Sequence, residues 1–194
     1  MTVTASNFER RENDLYETEA WAVHALIRAL KDLQIWRRAT IWEPAAGNHA
    51  MVAPFLDEGV PNVVTSDIVT YRRRHSFHFD FLSSNFPARE WGDFDLITNP
   101  PYGKQNRVAV KFAELALARC PGVVALLLTA KFDFGSTRKH LFGDNPRFRA
   151  KLALTDRISW AGNGETGTED HAWYIWGPAG SRPCKPICLY DGKV

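Results

Sequence analysis

The sequence predicts an α/β domain with a mostly parallel central sheet and helices on both faces. Short apolar segments alternate with helical patterns along the chain, which is typical of β-α-β units. The most continuous apolar segment, Val123–Thr129, has the uniform hydrophobicity of a central strand that is covered on both faces. Polar residues follow several predicted strands, as they do at the ligand-binding edge of such a sheet.

The predicted elements follow one another along the chain. Apolar residues at helical spacing from Leu15 to Leu33 predict an amphipathic first helix, with Thr18 near its start. Further helices are predicted over about His49–Asp57 and over Val108–Arg119. The predicted strands are Ala39–Trp42, Val63–Asp67, His75–Phe81, Phe94–Thr98, Val123–Thr129, Leu152–Ser159 and Ala172–Trp176, with a glycine-rich turn at Gly162–Gly167 between the last two.

Composition narrows the class of protein. The 194 residues suit a single domain, 1–194, and the formal net charge of +2 permits nucleic-acid binding without arguing strongly for it. The polar N-terminal segment lacks the apolar core of a signal peptide, and no apolar run approaches the roughly 20 residues of a membrane span. We therefore expect a cytoplasmic protein with no membrane partner. The spacing of Cys184 and Cys188, with no second pair, gives little support for a metal site, and we expect none.

Polar side chains end four of the predicted strands: Glu43, Asp67, Asp80 and Asn99. Ligands of parallel sheets bind outside the carboxyl ends of the strands, so we expect these side chains along one edge. Asp67 is placed to accept hydrogen bonds from a ribose, since it follows the glycine of the first turn, Gly47, by twenty residues. An N-capping or solvated aspartate is the alternative interpretation.

The stretch LITNPPYG, residues 96–103, sets an amide beside two prolines and an aromatic ring. The side chain of Asn99 carries an acceptor oxygen, and Pro100 and Pro101 fix the backbone so that their carbonyl groups face a ligand rigidly. Tyr102 offers a flat surface for stacking. Together these groups would hold a planar group that bears an amino group. A proline-rich turn that only ends a strand is the alternative.

These motifs resemble those of class I S-adenosylmethionine-dependent methyltransferases, and more narrowly the amino-methyltransferases of DNA adenine. LITNPPYG contains the catalytic NPPY motif, IWEPAAGNHAM resembles the first cofactor motif, VVTSDI the ribose motif and HFDFLSS the motif beside the cofactor adenine. NDLYETEAWAVHAL resembles the segment over the methionine end of the cofactor, and its place before the first cofactor motif is the order of the gamma group. TGTEDHAWYIWGP resembles the late strand pair of phage- and prophage-borne members.

The resemblance runs from about Asn13 to Pro178 and implies a fold, a cofactor and an activity. The fold is Rossmann-like with a late antiparallel strand, the cofactor is S-adenosylmethionine, and the activity is methyl transfer to N6 of adenine in DNA. His49 stands where the first cofactor motif usually has a second glycine, which would leave less room at the methionine end. The implied catalytic residues are Asn99, Pro100, Pro101 and Tyr102, and the implied cofactor-binding residues are Tyr16, Thr18, Glu43, Pro44, Ala45, Gly47, Asp67, Ile68, Asp80, Phe81 and Asn99.

Contacts with DNA are expected from basic and aromatic side chains late in the chain. The adenine must be flipped out of a duplex or already be single-stranded, and Tyr102 would then stack on it. Two basic clusters are candidates for phosphate binding. The stronger candidate follows the central strand and comprises Arg138, Lys139, His140, Arg147, Arg149 and Lys151, and the second is Arg72–His75. Solvated surface charge is the alternative for both clusters. The expected nucleic-acid contacts are Lys131, Phe132, Arg138, Lys139, Arg147, Arg149 and Trp160.

The sequence is compatible with several substrates and functions. No separate target-recognition domain is expected, so sequence specificity would be low or would come from a partner chain. The NPPY geometry also fits a methyltransferase that acts on RNA or on a protein glutamine amide. A methyltransferase fold that has become a catalytically inactive subunit is the third alternative.

Overall fold

An eight-stranded mixed sheet organises the part of the chain that the structure describes. The computed structural model describes residues 14–37, 39–85, 92–160 and 166–194. The helices are α1 (Ala20–Asp32), α2 (Val52–Asp57) and α3 (Arg107–Arg119), with short 3-10 helices at Lys104–Asn106 and Ser136–Leu141. The strands are β1 (Thr40–Glu43), β2 (Val63–Asp67), β3 (Phe77–His78), β4 (Phe94–Thr98), β5 (Val124–Thr129), β6 (Phe148–Leu154), β7 (His171–Trp176) and β8 (Ile187–Asp191).

The strand order is β3-β2-β1-β4-β5-β7-β6-β8. The first five strands are parallel, and β7 enters antiparallel between β5 and β6. The predicted mostly parallel sheet with a late antiparallel strand is therefore confirmed. The carboxyl ends of β1, β2, β4 and β5 define one edge of the sheet, here called the carboxyl edge. The opposite side, where these strands and β6 begin, is the amino edge.

Helices cover both faces of the sheet, as predicted. The apolar side of α1 packs with α2 against one face, and α3 packs against the other. Trp173 on the α1 face and Trp176 on the α3 face are fully buried, and each indole N–H finds a backbone carbonyl, from Ala22 at 2.8 Å and from Leu141 at 2.6 Å. Both tryptophans are core residues, because a buried indole is stable where its N–H is paired.

The first helix begins at Ala20, five residues later than the periodicity predicted. The preceding stretch crosses to the carboxyl edge and bonds there with the loop after β4, so tertiary contacts override its helical spacing. Thr18 does not cap the helix: the N-cap is Glu19, whose carboxylate accepts hydrogen bonds from Trp21 and Ser159. The second helix begins at Val52 rather than at His49.

The predicted strands are wrong in three places. The third strand is limited to Phe77–His78, because the chain on either side turns along the carboxyl edge. The sixth strand is Phe148–Leu154, so its start lies four residues before the predicted Leu152. Strand β8 was not predicted, because its residues at the edge of the sheet are mostly exposed and show no apolar periodicity.

The predicted turn Gly162–Gly167 lies outside the described residues except for its end. Among the helices that the structure describes, none combines the length and hydropathy needed to cross a membrane.

Candidate active site

A cavity of about 430 Å³ opens at the carboxyl edge, beside the ends of β1, β2 and β4. Its volume is in the range of small-molecule sites. It brings together every residue predicted to bind the cofactor, although these residues come from separate parts of the chain. They are Tyr16, Thr18, Glu43, Pro44, Ala45, Gly47, Asp67, Ile68, Asp80, Phe81 and Asn99.

The turn after β1 is fixed by the aspartate that ends β2. The amide of Gly47 donates to Oδ2 of Asp67 at 2.9 Å, and Val69 donates to its Oδ1 at 3.1 Å. Gly47 has φ +49°, a backbone conformation that favours glycine, and a Cβ there would lie 2.8 Å from a methyl carbon of Leu15, which would have to shift. Each oxygen of Asp67 still has acceptor capacity for a ligand.

Glu43 is an acid of the site with an unpaired carboxyl oxygen. It is 3% exposed, and its Oε2 has no hydrogen-bond partner among the described residues. Burial, and secondarily the charge of Asp67, raises the pKa of Glu43 well above its ordinary value. Buried polar atoms are almost always paired in folded proteins, so an unpaired carboxyl oxygen at a cavity indicates a place for a ligand donor.

His49 adopts the backbone conformation that the missing glycine would favour, with φ +67°. Its ring is not part of the cavity wall, so it does not take the room that the sequence suggested it would. The Nε2 of His49 lies 3.0 Å from Nδ1 of His75, and Nε2 of His75 lies 3.0 Å from the carbonyl of Val69. Since a carbonyl only accepts, His75 donates from Nε2, and the Nδ1 of a neutral His75 accepts from His49.

The stretch Asp14–Thr18, here called the strap, ties the two loops of the site together. Asn99 donates from Nδ2 to the carbonyl of Tyr16 at 3.1 Å, which leaves its Oδ1 as the acceptor. The amide of Gly103 donates to Asp14 at 3.0 Å, and Asn48 donates to Glu17 at 2.7 Å. No local pattern in the sequence marks Asp14, because its partner lies 89 residues away in the chain.

The four predicted catalytic residues divide into two pairs. Asn99 and Pro101 line the cavity. Pro100 is buried, and Tyr102 lies beside the cavity with its hydroxyl donating to the carbonyl of Leu127 at 3.2 Å. Burial raises the pKa of Tyr102, so it remains a neutral donor. The ring of Tyr102 is thereby held at a fixed position along the carboxyl edge.

His171, which the sequence analysis did not single out, completes an aromatic cluster with Tyr102, Trp160 and Tyr16. The ring of His171 stacks on Tyr102 at a centroid distance of 6.2 Å and meets Trp160 edge-on at 5.0 Å. Trp160 in turn lies 5.8 Å from Tyr16. Burial lowers the pKa of His171 to about 4, and its Nδ1 has no partner among the described residues. Trp160 is thus placed next to the predicted catalytic motif.

The predicted nucleic-acid contacts near β5 are partly exposed and partly structural. Lys131 is exposed at the carboxyl edge, and Lys139 is exposed with an ion pair to Asp144 at 3.2 Å. Phe132 is buried in the core, which corrects its assignment as a contact. Arg138 covers the Phe132 ring at 4.6 Å and donates to the Phe132 carbonyl at 2.7 Å.

Arg147 and Arg149 lie at the amino edge, opposite the cavity, because β6 begins there. The buried guanidinium of Arg147 donates to the carbonyl groups of Gly177, Leu117 and Gly122 at 2.9, 2.7 and 2.7 Å. Its role is structural, and its assignment as a phosphate contact is corrected. Arg149 is bonded to the carbonyls of Pro146 and Arg182 on the same side of the sheet.

No protein-family model and no curated protein matches the sequence. Solved structures match through their fold. A provisionally assigned RNA methyltransferase from Pyrococcus horikoshii is 16% identical, with a TM-score of 0.65, and the match covers 86% of this chain and 87% of that one. The methyltransferase subunit of a type I restriction-modification system from Streptococcus thermophilus is 14% identical, with a TM-score of 0.62 over 84% of this chain and 45% of that one.

A provisionally assigned class I S-adenosylmethionine-dependent methyltransferase from Listeria monocytogenes is 13% identical, with a TM-score of 0.59. That match covers 88% of this chain and 62% of the other, so the chain spans less than two thirds of the Listeria and Streptococcus proteins. At these identities the likeness establishes the fold. The chain has the Rossmann-like fold of class I methyltransferases.

Proposed function

We propose that the protein is an S-adenosylmethionine-dependent methyltransferase that modifies N6 of adenine in DNA, with low intrinsic sequence specificity. The observation that carries the proposal is the placement of Asn99. Its amide nitrogen is occupied by the carbonyl of Tyr16, so its oxygen is the free acceptor at the wall of the cavity. An acceptor held in this way suits an amino group of a planar substrate.

The residues of the cavity fit the proposed cofactor. Asp67 would accept hydrogen bonds from the ribose hydroxyl groups with its remaining lone pairs, and the unpaired oxygen of Glu43 would accept from a donor of the cofactor. Phe81 stacks on Phe112 at 4.2 Å, and both line the cavity, which gives an apolar wall for the adenine. Asp80 lies beside that wall. When bound, S-adenosylmethionine supplies a methyl group on a positively charged sulfur.

The chain's own residues would position the substrate nitrogen. The Oδ1 of Asn99, at the cavity wall, and the backbone carbonyl of the adjacent Pro100 would accept the two amino hydrogens of adenine, which would favour a pyramidal nitrogen with an available lone pair. This is catalysis by positioning and electrostatic stabilisation, without a covalent enzyme intermediate. Pro101 keeps the turn rigid. Tyr102, fixed through its hydroxyl, would stack on the extruded base with Trp160 nearby.

DNA is the favoured substrate because the NPPY stretch resembles that of DNA adenine methyltransferases, and because one structural neighbour is the methyltransferase subunit of a restriction-modification system. A partner chain would supply any stringent sequence recognition. A cytoplasmic location fits the three free cysteines, since a reducing compartment keeps thiols unpaired. RNA is the second candidate, since another neighbour is provisionally assigned as an RNA methyltransferase.

The test is transfer of a labelled methyl group from S-adenosylmethionine to duplex DNA, single-stranded DNA, RNA and a glutamine-containing peptide. We expect label in DNA, recovered as N6-methyladenine. Asn99→Ala should lower the rate on the order of 100-fold with cofactor affinity retained, because a contact made in the transition state is lost. Asn85→Ala, at an exposed asparagine, is the matched control.

Three results would contradict the proposal in different ways. Label in RNA or in the peptide alone would change the substrate and keep the enzyme class. Cofactor binding without transfer would favour a catalytically inactive subunit. Wild-type transfer by Asn99→Ala would remove the mechanism given above.

A further inference from the structure

A phenylalanine is exposed to solvent at the carboxyl edge. Phe134 follows β5 and is 71% exposed, whereas its neighbour Phe132 is buried. A phenylalanine gains nothing from exposure, and burying its ring is worth about 1.5 to 3 kcal/mol. A partner surface that covers Phe134 would recover that free energy.

Hydrogen bonds from β6 and β7 hold the loop that carries Phe134 in place. Lys151 donates to the carbonyl of Ala130 at 2.6 Å and to Asp133 at 2.9 Å, and the hydroxyl of Tyr174 donates to the same carboxylate at 2.9 Å. The ammonium group of Lys151 also lies 5.4 Å from the centre of the Phe134 ring. The protruding side chain therefore stands on a loop that is already ordered, which lowers the entropic cost of binding.

The loop stands next to the predicted catalytic motif. It continues from Thr129, which pairs across the sheet with His171, and His171 stacks on Tyr102. Tyr102 is in turn bonded to Leu127, two residues before the end of β5. The exposed ring thus belongs to the same edge as the site that would receive the substrate base.

Exposed cations lie on two segments of this edge. Lys131 precedes Phe134 in the loop, and Lys104 and Arg107 follow the NPPY stretch, with Arg107 as the first residue of α3. Of the acids near the loop, Asp133 is paired with Lys151 and Asp170 with Arg157 at 2.8 Å, whereas Glu169 is exposed with no ion pair among the described residues. An exposed apolar ring with cations on its own and a neighbouring segment complements a nucleic acid, whose phosphates face outward and whose bases stack inside.

We propose that Phe134 is a wedge that enters the base stack of duplex DNA when the target adenine leaves it. This inference rests on the proposed DNA methyltransferase function. Extruding a base leaves a gap and costs a few kcal/mol of stacking and pairing, and an inserted apolar side chain restores part of the stacking. Lys131, Lys104 and Arg107 would bind the flanking phosphates without reading sequence.

The experiment compares wild type with Phe134→Ala on substrates whose adenine is increasingly easy to extrude. These are a matched duplex, the same duplex with cytosine opposite each adenine, and the single strand. We expect Phe134→Ala to lower transfer to the matched duplex about ten-fold or more, to have a smaller effect on the mismatched duplex, and to change the single strand by less than about two-fold. Phe134→Leu, which keeps an apolar wedge, should restore most of the duplex rate.

Tyr190→Ala is the matched control. Tyr190 is 72% exposed and lies on β8, at the far edge of the sheet, so its loss should leave all three rates unchanged. An equal loss on all three substrates, or no loss on the matched duplex, would overturn the wedge while the DNA methyltransferase function stands. A wild type that methylates only single strands would do the same. A wild type that methylates no DNA would overturn the proposed function and the wedge together.

Discussion

The two edges of the central sheet use buried polar side chains in opposite ways. At the amino edge, Arg147 gives three hydrogen bonds to backbone carbonyls. Nearby, Asp95 accepts from Arg37 at 2.5 Å and from the amide of Val123 at 2.7 Å. These groups close the fold around the starts of β4 and β5, and the neighbouring Gly122 has no room for a Cβ.

At the carboxyl edge, several buried polar atoms have no partner among the described residues: Oε2 of Glu43, Oγ1 of Thr98 and Nδ1 of His171. Trp36 Nε1 and Arg37 Nε, which precede β1, share this condition, although the guanidinium of Arg37 is paired through its other nitrogens. Arg147 and Asp95 are paired through several hydrogen bonds and stabilise the fold, whereas Glu43 lines the cavity with an unpaired oxygen, which costs stability.

The largest expected effect on stability is at the amino edge. Arg147→Ala should lower the free energy of unfolding by about 3 to 5 kcal/mol, because three buried carbonyl groups lose their donor. Urea denaturation measures this change. Arg149→Ala is the control, since its guanidinium lies at the surface and its loss should cost less than about 1 kcal/mol. An equal decrease in the free energy of unfolding for the two variants would contradict the structural role given to Arg147.

The next effect is the pH dependence contributed by His171. Burial lowers its pKa from 6.5 to about 4, so the unfolded chain binds this proton first. The contribution that neutral His171 makes to the free energy of unfolding is therefore complete above about pH 6.5. It is lost as the pH falls towards 4. Between pH 7 and 4.5 the loss should be about 2 to 3 kcal/mol.

His171→Phe isolates that contribution, because phenylalanine keeps the ring contacts with Tyr102 and Trp160 and does not titrate. The free energy of unfolding of the variant, measured by urea denaturation at several pH values, should fall less steeply with acid than that of wild type. If the free energy of unfolding fell with acid equally steeply in the two proteins, His171 would have an ordinary pKa in the folded state. Its burial would then not destabilise the protein at low pH.

A smaller effect of opposite sign is expected at Glu43. Its pKa is raised in the folded state, so its contribution is favourable only at acid pH and becomes a cost as the pH rises. Glu43→Gln should therefore raise the free energy of unfolding at pH 7 by about 1 kcal/mol and weaken cofactor binding. The gain should disappear near pH 4, where the carboxyl is neutral. Glu114→Gln, at an exposed glutamate on α3, should show no such gain.

The sequence placed the polar side chains at the carboxyl edge correctly for a physical reason. Glu43, Asp67 and Asn99 each follow an apolar strand, and parallel strands bring their carboxyl ends to the same edge. Local patterns were therefore sufficient for these three residues, whereas Tyr16 and Thr18 were implied only by the family resemblance and line the same cavity.

The residues that the sequence misplaced depend on long-range pairing. Arg147 and Arg149 follow a loop from the carboxyl edge, but β6 starts only after the chain has returned to the amino edge, and no local pattern records that return. Strand β8 is an exposed edge without periodicity. Asp14 and His171 gain their roles from partners far away in the chain.

Calorimetric titration of the purified chain with S-adenosylmethionine measures whether the cavity at the carboxyl edge binds this molecule, as we propose. We expect one site per chain, an affinity about ten-fold or more weaker in Asp67→Asn, and an unchanged affinity in Asp57→Asn, at an exposed aspartate away from the cavity. No binding by wild type, or equal binding by Asp67→Asn and wild type, would contradict this proposal.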